Sequence, residues 1–101
     1  MKRVMVRYTV KADRAAENER YISRVYEQLR RESPAGLRYA TFKLEDGVTF
    51  VHIALIDDGD GNPLGELEAF RDFTSQIEDR CETAPVSVGL TEVGSYRFFS
   101  S

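Results

Sequence analysis

The sequence predicts an α+β fold in which a four-stranded antiparallel sheet carries two helices on one face. Three observations support this prediction. Four segments have the alternation or the β-branched apolar content of strands, and two longer segments have apolar residues spaced three and four apart. Glycine, proline, asparagine and aspartate separate these segments. Their order is βαββαβ within 101 residues, long enough for one domain over 1–101 and too short for two.

The first strand and the first helix are predicted in the N-terminal third. Residues 3–10 alternate between two faces, one of which carries Val4, Val6, Tyr8 and Val10. The helix is expected over 14–32 with Asp13 as its cap, because an aspartate side chain accepts hydrogen bonds from free N–H groups of the first turn. Its buried stripe includes the polar residue Asn18. Residues 33–36, Ser-Pro-Ala-Gly, end the helix.

A hairpin is predicted in the centre of the chain. Strand two covers 37–44 and strand three covers 48–56, and Asp46-Gly47 between them suits the dihedral angles of a tight turn. Strand three is apolar on both faces, which indicates that both are covered. One face carries Val51, Ile53 and Leu55, and the other carries Phe50, His52, Ala54 and Ile56.

The remaining elements are a loop, a second helix and a fourth strand. Residues 57–65 are rich in aspartate, glycine and proline and predict a loop without regular structure. The second helix is expected over 66–81, with Pro85 as its far limit. Its predicted buried stripe consists of Leu67, Phe70, Phe73, Thr74, Ile77 and Cys81. Strand four begins at Val86 and stays extended through Val93. The tail after it contains Tyr96, Phe98 and Phe99.

The apolar residues on both faces of strand three indicate a homodimer. Two helices cover only one face of a sheet, so an exposed apolar patch of several hundred Å² would remain on a monomer. A second copy of the chain is the simplest cover. The alternative is that the aromatic tail folds back over its own sheet.

These elements carry a resemblance to a known superfamily. The βαββαβ order indicates the ferredoxin-like arrangement. The chain resembles the dimeric α/β-barrel proteins. The resemblance is carried by this order, the doubly apolar strand three, the Leu67-Glu68-Ala69-Phe70 entry to helix two and the extended end 93–99. That group includes antibiotic-biosynthesis monooxygenases, stress-responsive barrel proteins and haem-degrading relatives. The resemblance covers the whole chain and implies a barrel-like dimer with a small-molecule site between sheet and helices or within the barrel.

The chain departs from the catalytic members of that superfamily. Cofactor-independent monooxygenases and haem degraders commonly use a tryptophan with asparagine, arginine or histidine, and this chain has no tryptophan. A histidine often seen on the second helix is also missing from 66–81. We therefore expect no haem.

Composition narrows the function classes further. One cysteine and one histidine cannot supply an internal disulfide or the ligands of a structural zinc site, so we expect no metal. Since haem is not expected either, we expect no cofactor. The net charge of −3 and the lack of stacking aromatics on the Arg7 face of strand one do not favour nucleic-acid binding. No apolar run approaches the roughly 18 residues of a membrane span, and Met1-Lys2-Arg3 does not lead into a signal-peptide core. We expect a cytoplasmic protein without membrane contacts.

His52 is the leading candidate for a catalytic residue. It is the only histidine, its ordinary pKa is near neutrality, and its strand face is apolar, so it is a candidate general base. The alternative is a buried histidine that is hydrogen-bonded within a dimer interface. Arg7 is expected on the same sheet side if the other face of strand one meets the helices, where it would hold an anionic group beside His52; an inter-subunit salt bridge is the alternative.

Four further residues complete the candidate site. Asn18 on the buried stripe of helix one is expected to orient a ligand carbonyl, or else to bond to backbone near the helix start. Tyr39 and Thr41 share one face of strand two and are candidate ligand contacts, but the same strand is equally consistent with Phe42 and Leu44 facing inward. Phe50 is a candidate ligand contact because it shares the face of His52.

These residues predict a homodimeric protein that binds a small, partly apolar molecule. Cofactor-independent monooxygenase-like chemistry is the enzymatic version of this hypothesis. The alternative is a non-catalytic binding or interaction module whose sheet face serves only dimerisation. The position of His52, Arg7 and Asn18 relative to a cavity distinguishes the two.

Overall fold

The computed structural model describes residues 1–59 and 61–98 and confirms the α+β, ferredoxin-like prediction. The strands are β1 (Lys2–Val10), β2 (Leu37–Lys43), β3 (Thr49–Ile56) and β4 (Cys81–Gly89), and the helices are α1 (Ala15–Glu32), α2 (Glu68–Ser75) and α3 (Ile77–Arg80). All pairings are antiparallel, in the order β2-β3-β1-β4. None of the helices in the described residues has the length and hydropathy needed to cross a bilayer. Asp60 and Phe99, on which part of the loop and tail predictions fell, lie outside the described residues.

Strand register decides which side chains share a face. Val6 of β1 and Thr41 of β2 both lie opposite His52 of β3. Directly opposed residues of an antiparallel pair project to the same side of the sheet. His52 therefore shares its face with Val6, Tyr8, Tyr39 and Thr41.

This face is covered by the helices and holds the core. The buried side chains of the core include Tyr8, Val10, Val25, Phe50, Ile56 and Phe73. Val25 comes from α1 and Phe73 from α2, so both helices pack on the same side of the sheet. Because Phe50, His52 and Ile56 lie in this core, the uncovered face of β3 is the one that carries Val51, Ile53 and Leu55.

The second helix is shorter than expected, and the prediction of 66–81 is wrong. Leu67 is extended, and α2 ends at Ser75 because Gln76 leaves helical geometry at φ −131° and ψ 26°. After the single turn of α3, Cys81 pairs with Val10 of β1 and begins β4. Burial of the backbone against β1 thus outweighs the helical spacing of the side chains.

Strand four begins five residues earlier than expected and contains Pro85. Arg7 of β1 lies opposite Val86, whereas Thr9 lies opposite Thr83, so β4 holds one extra residue between these pairs. Such a bulge accommodates a proline, which has no N–H to donate to a ladder. The strand ends at Gly89 and does not continue to Val93.

Two local predictions have different outcomes. Asp13 does not cap α1: it lies in a 3₁₀ turn, Ala12–Arg14, and Arg14 is the capping position without a side-chain hydrogen bond. The hairpin is confirmed, since the Asp46 side chain accepts hydrogen bonds from the backbone N–H of Val48 and Thr49 at 3.0 and 2.8 Å. Gly47 follows with φ +77°, a conformation that favours glycine. The loop 57–65 also contains the start of a 3₁₀ turn, Pro63–Glu66.

The face of the sheet opposite the helices carries apolar side chains together with Arg3, Arg7 and Arg38, and it is partly exposed. Phe42 is 47% exposed and Val86 58%, and both lie in the row of Val51. The segment 90–95 lies along one end of this face, where it borders a groove of about 280 Å³ with Ile53 and Leu55. Segment 90–95 therefore lies over one end of the face, and within the described residues Phe42 and Val86 stay exposed.

Candidate ligand-binding site

A cavity of about 290 Å³ lies between the covered face of the sheet and helices α2 and α3. Most of its lining is apolar: Val4, Val6, Ala54, Ile56, Leu64, Phe70, Phe73, Ile77 and Pro85. His52, Tyr8 and Tyr39 form a polar part of the wall, and Lys2, Asn62, Thr74 and Ser87 also line it. An apolar cavity with a few convergent polar groups is the usual form of a small-molecule site.

His52 is the centre of the polar wall. Its Nδ1 atom lies 2.6 Å from Tyr39 Oη and 3.0 Å from Thr41 Oγ1, and its Nε2 atom lies 2.8 Å from Tyr8 Oη. The register explains this cluster, since Thr41 is directly opposite His52 and Tyr8 is two residues from its β1 partner. Both ring nitrogens are therefore hydrogen-bonded.

A second part of the cluster lies behind Tyr8. Asn18 of α1 donates from Nδ2 to Tyr8 Oη at 2.9 Å and accepts at Oδ1 from Arg80 Nε at 3.1 Å. Arg80 also donates to the Phe73 carbonyl at 2.7 Å and lies over the Tyr21 ring, with Cζ 4.4 Å from the centroid. Arg80 and Asn18 are both fully buried. Among the described residues, no carboxylate lies within ion-pair distance of Arg80.

Burial makes His52 neutral at physiological pH. Removal of the imidazole from water disfavours the imidazolium and lowers the pKa of His52 to about 4. Burial also raises the pKa of Tyr8 and of Tyr39, and hydrogen bonds from Asn18 and Thr41 respectively offset part of that effect. The cluster is thus uncharged at its cavity end and cationic only at Arg80.

We expect the lowered pKa of His52 to make the protein less stable in mild acid. The unfolded chain binds a proton near pH 6.5, whereas the folded chain binds it only near pH 4, so the free energy of unfolding falls between these values by about 3 kcal/mol and levels off below them. Urea titrations of the wild type and His52→Gln from pH 7.5 to 3.5 measure this as the difference between two curves. The carboxylates with lowered pKa, Glu17, Asp46 and Asp58, remain in both proteins. Parallel curves would contradict the expectation.

The structure brings together some of the expected site residues and separates others. Tyr39 and Thr41 face the helices and contact His52, which resolves the orientation of strand two, and Phe42 faces the open side. Asn18 is buried but bonds to side chains and not to backbone. It lies behind Tyr8 and does not line the cavity.

The expectation that Arg7 lies beside His52 is wrong. Arg7 is opposite Val51, on the open face, whereas His52 is opposite Val6. Val4, Val6 and Tyr8 of strand one do face the helices, as expected. The error lies in strand three, because its His52 face also meets the helices and not the open side. Phe50 is on the His52 side but does not line the cavity, since it is buried in the core and stacks on Tyr8 at 5.6 Å between centroids.

Sequence analysis missed Tyr8 and Arg80 as parts of the site. Tyr8 was assigned to the apolar face of strand one, although a phenol on such a face needs a hydrogen-bond partner. Arg80 follows Phe73 by seven residues and Ile77 by three, so it continues the buried stripe of the second helix. That spacing was the available signal. Within the described part of the chain, no three histidine, cysteine, aspartate or glutamate side chains converge as metal ligands.

Comparison with known proteins identifies the fold. No protein-family model matches the chain, and no curated protein matches it. Among solved structures, it is similar to an antibiotic biosynthesis monooxygenase, with TM-score 0.76 and 20% identity over 93% of this chain and 100% of that one. It is also similar to the cofactor-independent oxygenase SnoaB from Streptomyces nogalater, with TM-score 0.67 and 18% identity over 93% of this chain and 94% of that one. A third similar structure is PA3566 from Pseudomonas aeruginosa, with TM-score 0.72 and 19% identity over 92% of this chain and 94% of that one.

At these identities the similarity establishes the fold. The expected resemblance to antibiotic-biosynthesis-monooxygenase-like proteins is confirmed at that level: the chain has the ferredoxin-like fold of these structures over almost its whole length.

Proposed function

We propose that this protein binds a small, partly apolar molecule in the cavity between the sheet and helices α2 and α3. The observation that carries the proposal is the position of His52, which lines the cavity with Tyr8 and Tyr39 and is neutral there. Apolar walls supply binding energy by burial, and the hydroxyl and imidazole groups fix the orientation of one polar group of the ligand.

The proposal includes a homodimer formed through the open face of the sheet. Its support is the apolar content of that face. Ile53 lies between Ala40 and Met5, and Val51 lies beside Phe42, with Arg7 between Val51 and Val86. A dimer that covers these residues would bury on the order of 800 Å² per chain. Cytoplasmic location stays part of the proposal and is supported by a single cysteine that needs no partner.

The enzymatic form of the proposal is cofactor-independent oxygenase-like chemistry, in which dioxygen oxidises an activated CH₂ group of a bound carbon acid, through its anion, to a carbonyl group. One oxygen atom enters the product and the other leaves as water with the two hydrogens. It is supported by a neutral imidazole between two hydroxyls in a desolvated wall, a group that can exchange protons with a ligand. Oxygen consumption with 2-tetralone, a readily enolised ketone, tests this form. His52→Gln should abolish consumption, whereas Arg7→Met, on the other face, should leave it unchanged. If the wild type consumes no oxygen but binds ligands, the non-catalytic binding module is the correct alternative.

Filling the cavity should remove ligand binding without unfolding the protein. Ala54 lines the cavity in the middle of β3, so Ala54→Leu places three more carbon atoms in the space for a ligand. Calorimetric titration with 1-tetralone, a bicyclic aromatic ketone, should show binding at least about tenfold weaker than in the wild type. The matched control is Ala84→Leu, the same change at an exposed position of β4. Equal affinities of all three proteins would refute the proposed site.

A further inference from the structure

The direction of the hydrogen bonds in the His52 cluster is fixed from its buried end. Arg80 can only donate hydrogen bonds, so the Asn18 atom 3.1 Å from Arg80 Nε must be the carbonyl oxygen. The Asn18 amide group is then the one that faces Tyr8, and it donates to Tyr8 Oη. The orientation of the amide is thus determined by a guanidinium that cannot reverse its role.

The same constraint extends to the imidazole. Tyr8 Oη has two partners, Asn18 and His52. Because the Asn18 amide donates to it, the remaining acceptor for the Tyr8 proton is His52 Nε2, at 2.8 Å. A neutral imidazole carries one proton, which must then be on Nδ1. The hydroxyl groups of Tyr39 and Thr41 are compatible with Nδ1 in either state, since hydroxyls both donate and accept hydrogen bonds.

The Nδ1 proton in turn sets the role of Tyr39. Nδ1 lies closest to Tyr39 Oη, at 2.6 Å, and donates to it. The Tyr39 oxygen is then an acceptor toward His52, and its own proton is available to a group in the cavity that its side chain lines. In the opposite arrangement, Tyr39 would donate to Nδ1, Nε2 would donate to Tyr8, and the buried Tyr8 proton would lose its acceptor, at a cost of about 1–3 kcal/mol.

We propose that Arg80, acting through Asn18 and Tyr8, is a positioning residue that keeps the His52 proton on Nδ1 and makes Tyr39 a hydrogen-bond donor to the ligand. The ligand class is therefore a small aromatic or alicyclic molecule that presents an acceptor oxygen, as a ketone, an enolate or a phenolate. This inference rests on the proposed function for its ligand and on the buried hydrogen bonds for its direction.

The proton position can be measured on the free protein. His52 is the only histidine in the sequence, so a long-range ¹H–¹⁵N correlation spectrum of ¹⁵N-histidine-labelled protein contains one imidazole. At pH 7 we expect a protonated Nδ1 and an unprotonated Nε2. A proton on Nε2, or averaged shifts from two tautomers, would overturn the inference, and no variant needs to fold for this result.

Asn18→Asp reverses the direction with little change in shape. A carboxylate beside Arg80 only accepts, so Tyr8 should turn its proton toward it, and His52 should then donate from Nε2 to Tyr8. The spectrum should show the proton moved to Nε2, which a merely structural role of Asn18 would not produce. Tyr26→Phe is the control, because it removes a hydroxyl on the Thr41 side, 2.8 Å from Thr41 Oγ1, and should leave the proton on Nδ1. If a folded Asn18→Asp protein kept the proton on Nδ1, the proposed control of His52 by Arg80 through Asn18 and Tyr8 would be refuted.

The ligand class is tested with two matched probes, 1-tetralone and the hydrocarbon tetralin. Tyr39→Phe should weaken 1-tetralone binding about three- to tenfold and leave tetralin unchanged. Equal losses for both probes would overturn the donor role of Tyr39. If neither probe binds the wild type, the proposed function fails. The spectrum of His52 still decides, independently of any ligand, which ring nitrogen carries the proton.

Discussion

Phe50→Asp should leave the chain unfolded at 25 °C. Phe50 is 1% exposed and packs in the core between the sheet and the helices, against the Tyr8 ring. Loss of an aromatic side chain from a core costs about 3–5 kcal/mol, and burial of an unpaired carboxylate adds several more. This sum is comparable to the roughly 5–15 kcal/mol that stabilises a domain. Circular dichroism and a thermal scan measure the outcome.

The matched control for this substitution is Phe42→Asp. Phe42 lies in the neighbouring strand β2 but is 47% exposed on the open face. The protein should keep its helical and sheet signal with this change. If Phe50→Asp melted at the wild-type temperature, the assignment of the covered face would be incorrect.

Ile53→Asp should convert a dimer into folded monomers. Ile53 lies at the centre of the open face, between Met5 of β1 and Ala40 of β2. A carboxylate there would be desolvated in the dimer but hydrated in the monomer, which weakens association by about 2–4 kcal/mol, or roughly 30- to 1,000-fold in Kd. Light scattering coupled to size exclusion at micromolar concentration measures the mass.

Ala35→Asp, in the exposed turn after α1, is the control and should leave the mass unchanged. A wild-type protein that is monomeric at the same concentration would exclude the dimer. Unfolding by Ile53→Asp would show that the open face contributes to the stability of the single chain.

The sequence was sufficient for the order of the elements but not for the choice of faces. Alternation shows that Val6 and Arg7 lie on opposite sides of β1, and it contains no information about which of them lies beside His52. That depends on the pairing register with β3, since Val6 and not Arg7 is the partner of His52. The structure therefore brings together only some of the candidate site residues. His52, Tyr39 and Thr41 meet, and Arg7 does not.

Long-range contacts also explain the missed residues. Arg80 lies 62 positions from Asn18, and Tyr8 lies 44 from His52, so no local pattern connects them. The end of helix two was misplaced for a related reason. Cys81 continues the helical spacing, but its backbone is paired with Val10 at the start of the chain. Local periodicity does not report such pairing.

The bulge at Pro85 determines how this sheet can meet others. The edge strands of the sheet are β2 and β4. An edge strand has unpaired N–H and C=O groups that can pair with a strand of another molecule. Pro85 lacks an N–H, and the bulge around it interrupts the straight run of groups that a docking strand needs. Lateral growth of the sheet into a continuous ribbon is therefore blocked at β4. At β2, the charges of Arg38 and Lys43 are the obstacle, so both end strands of the sheet disfavour pairing with the edge of another sheet.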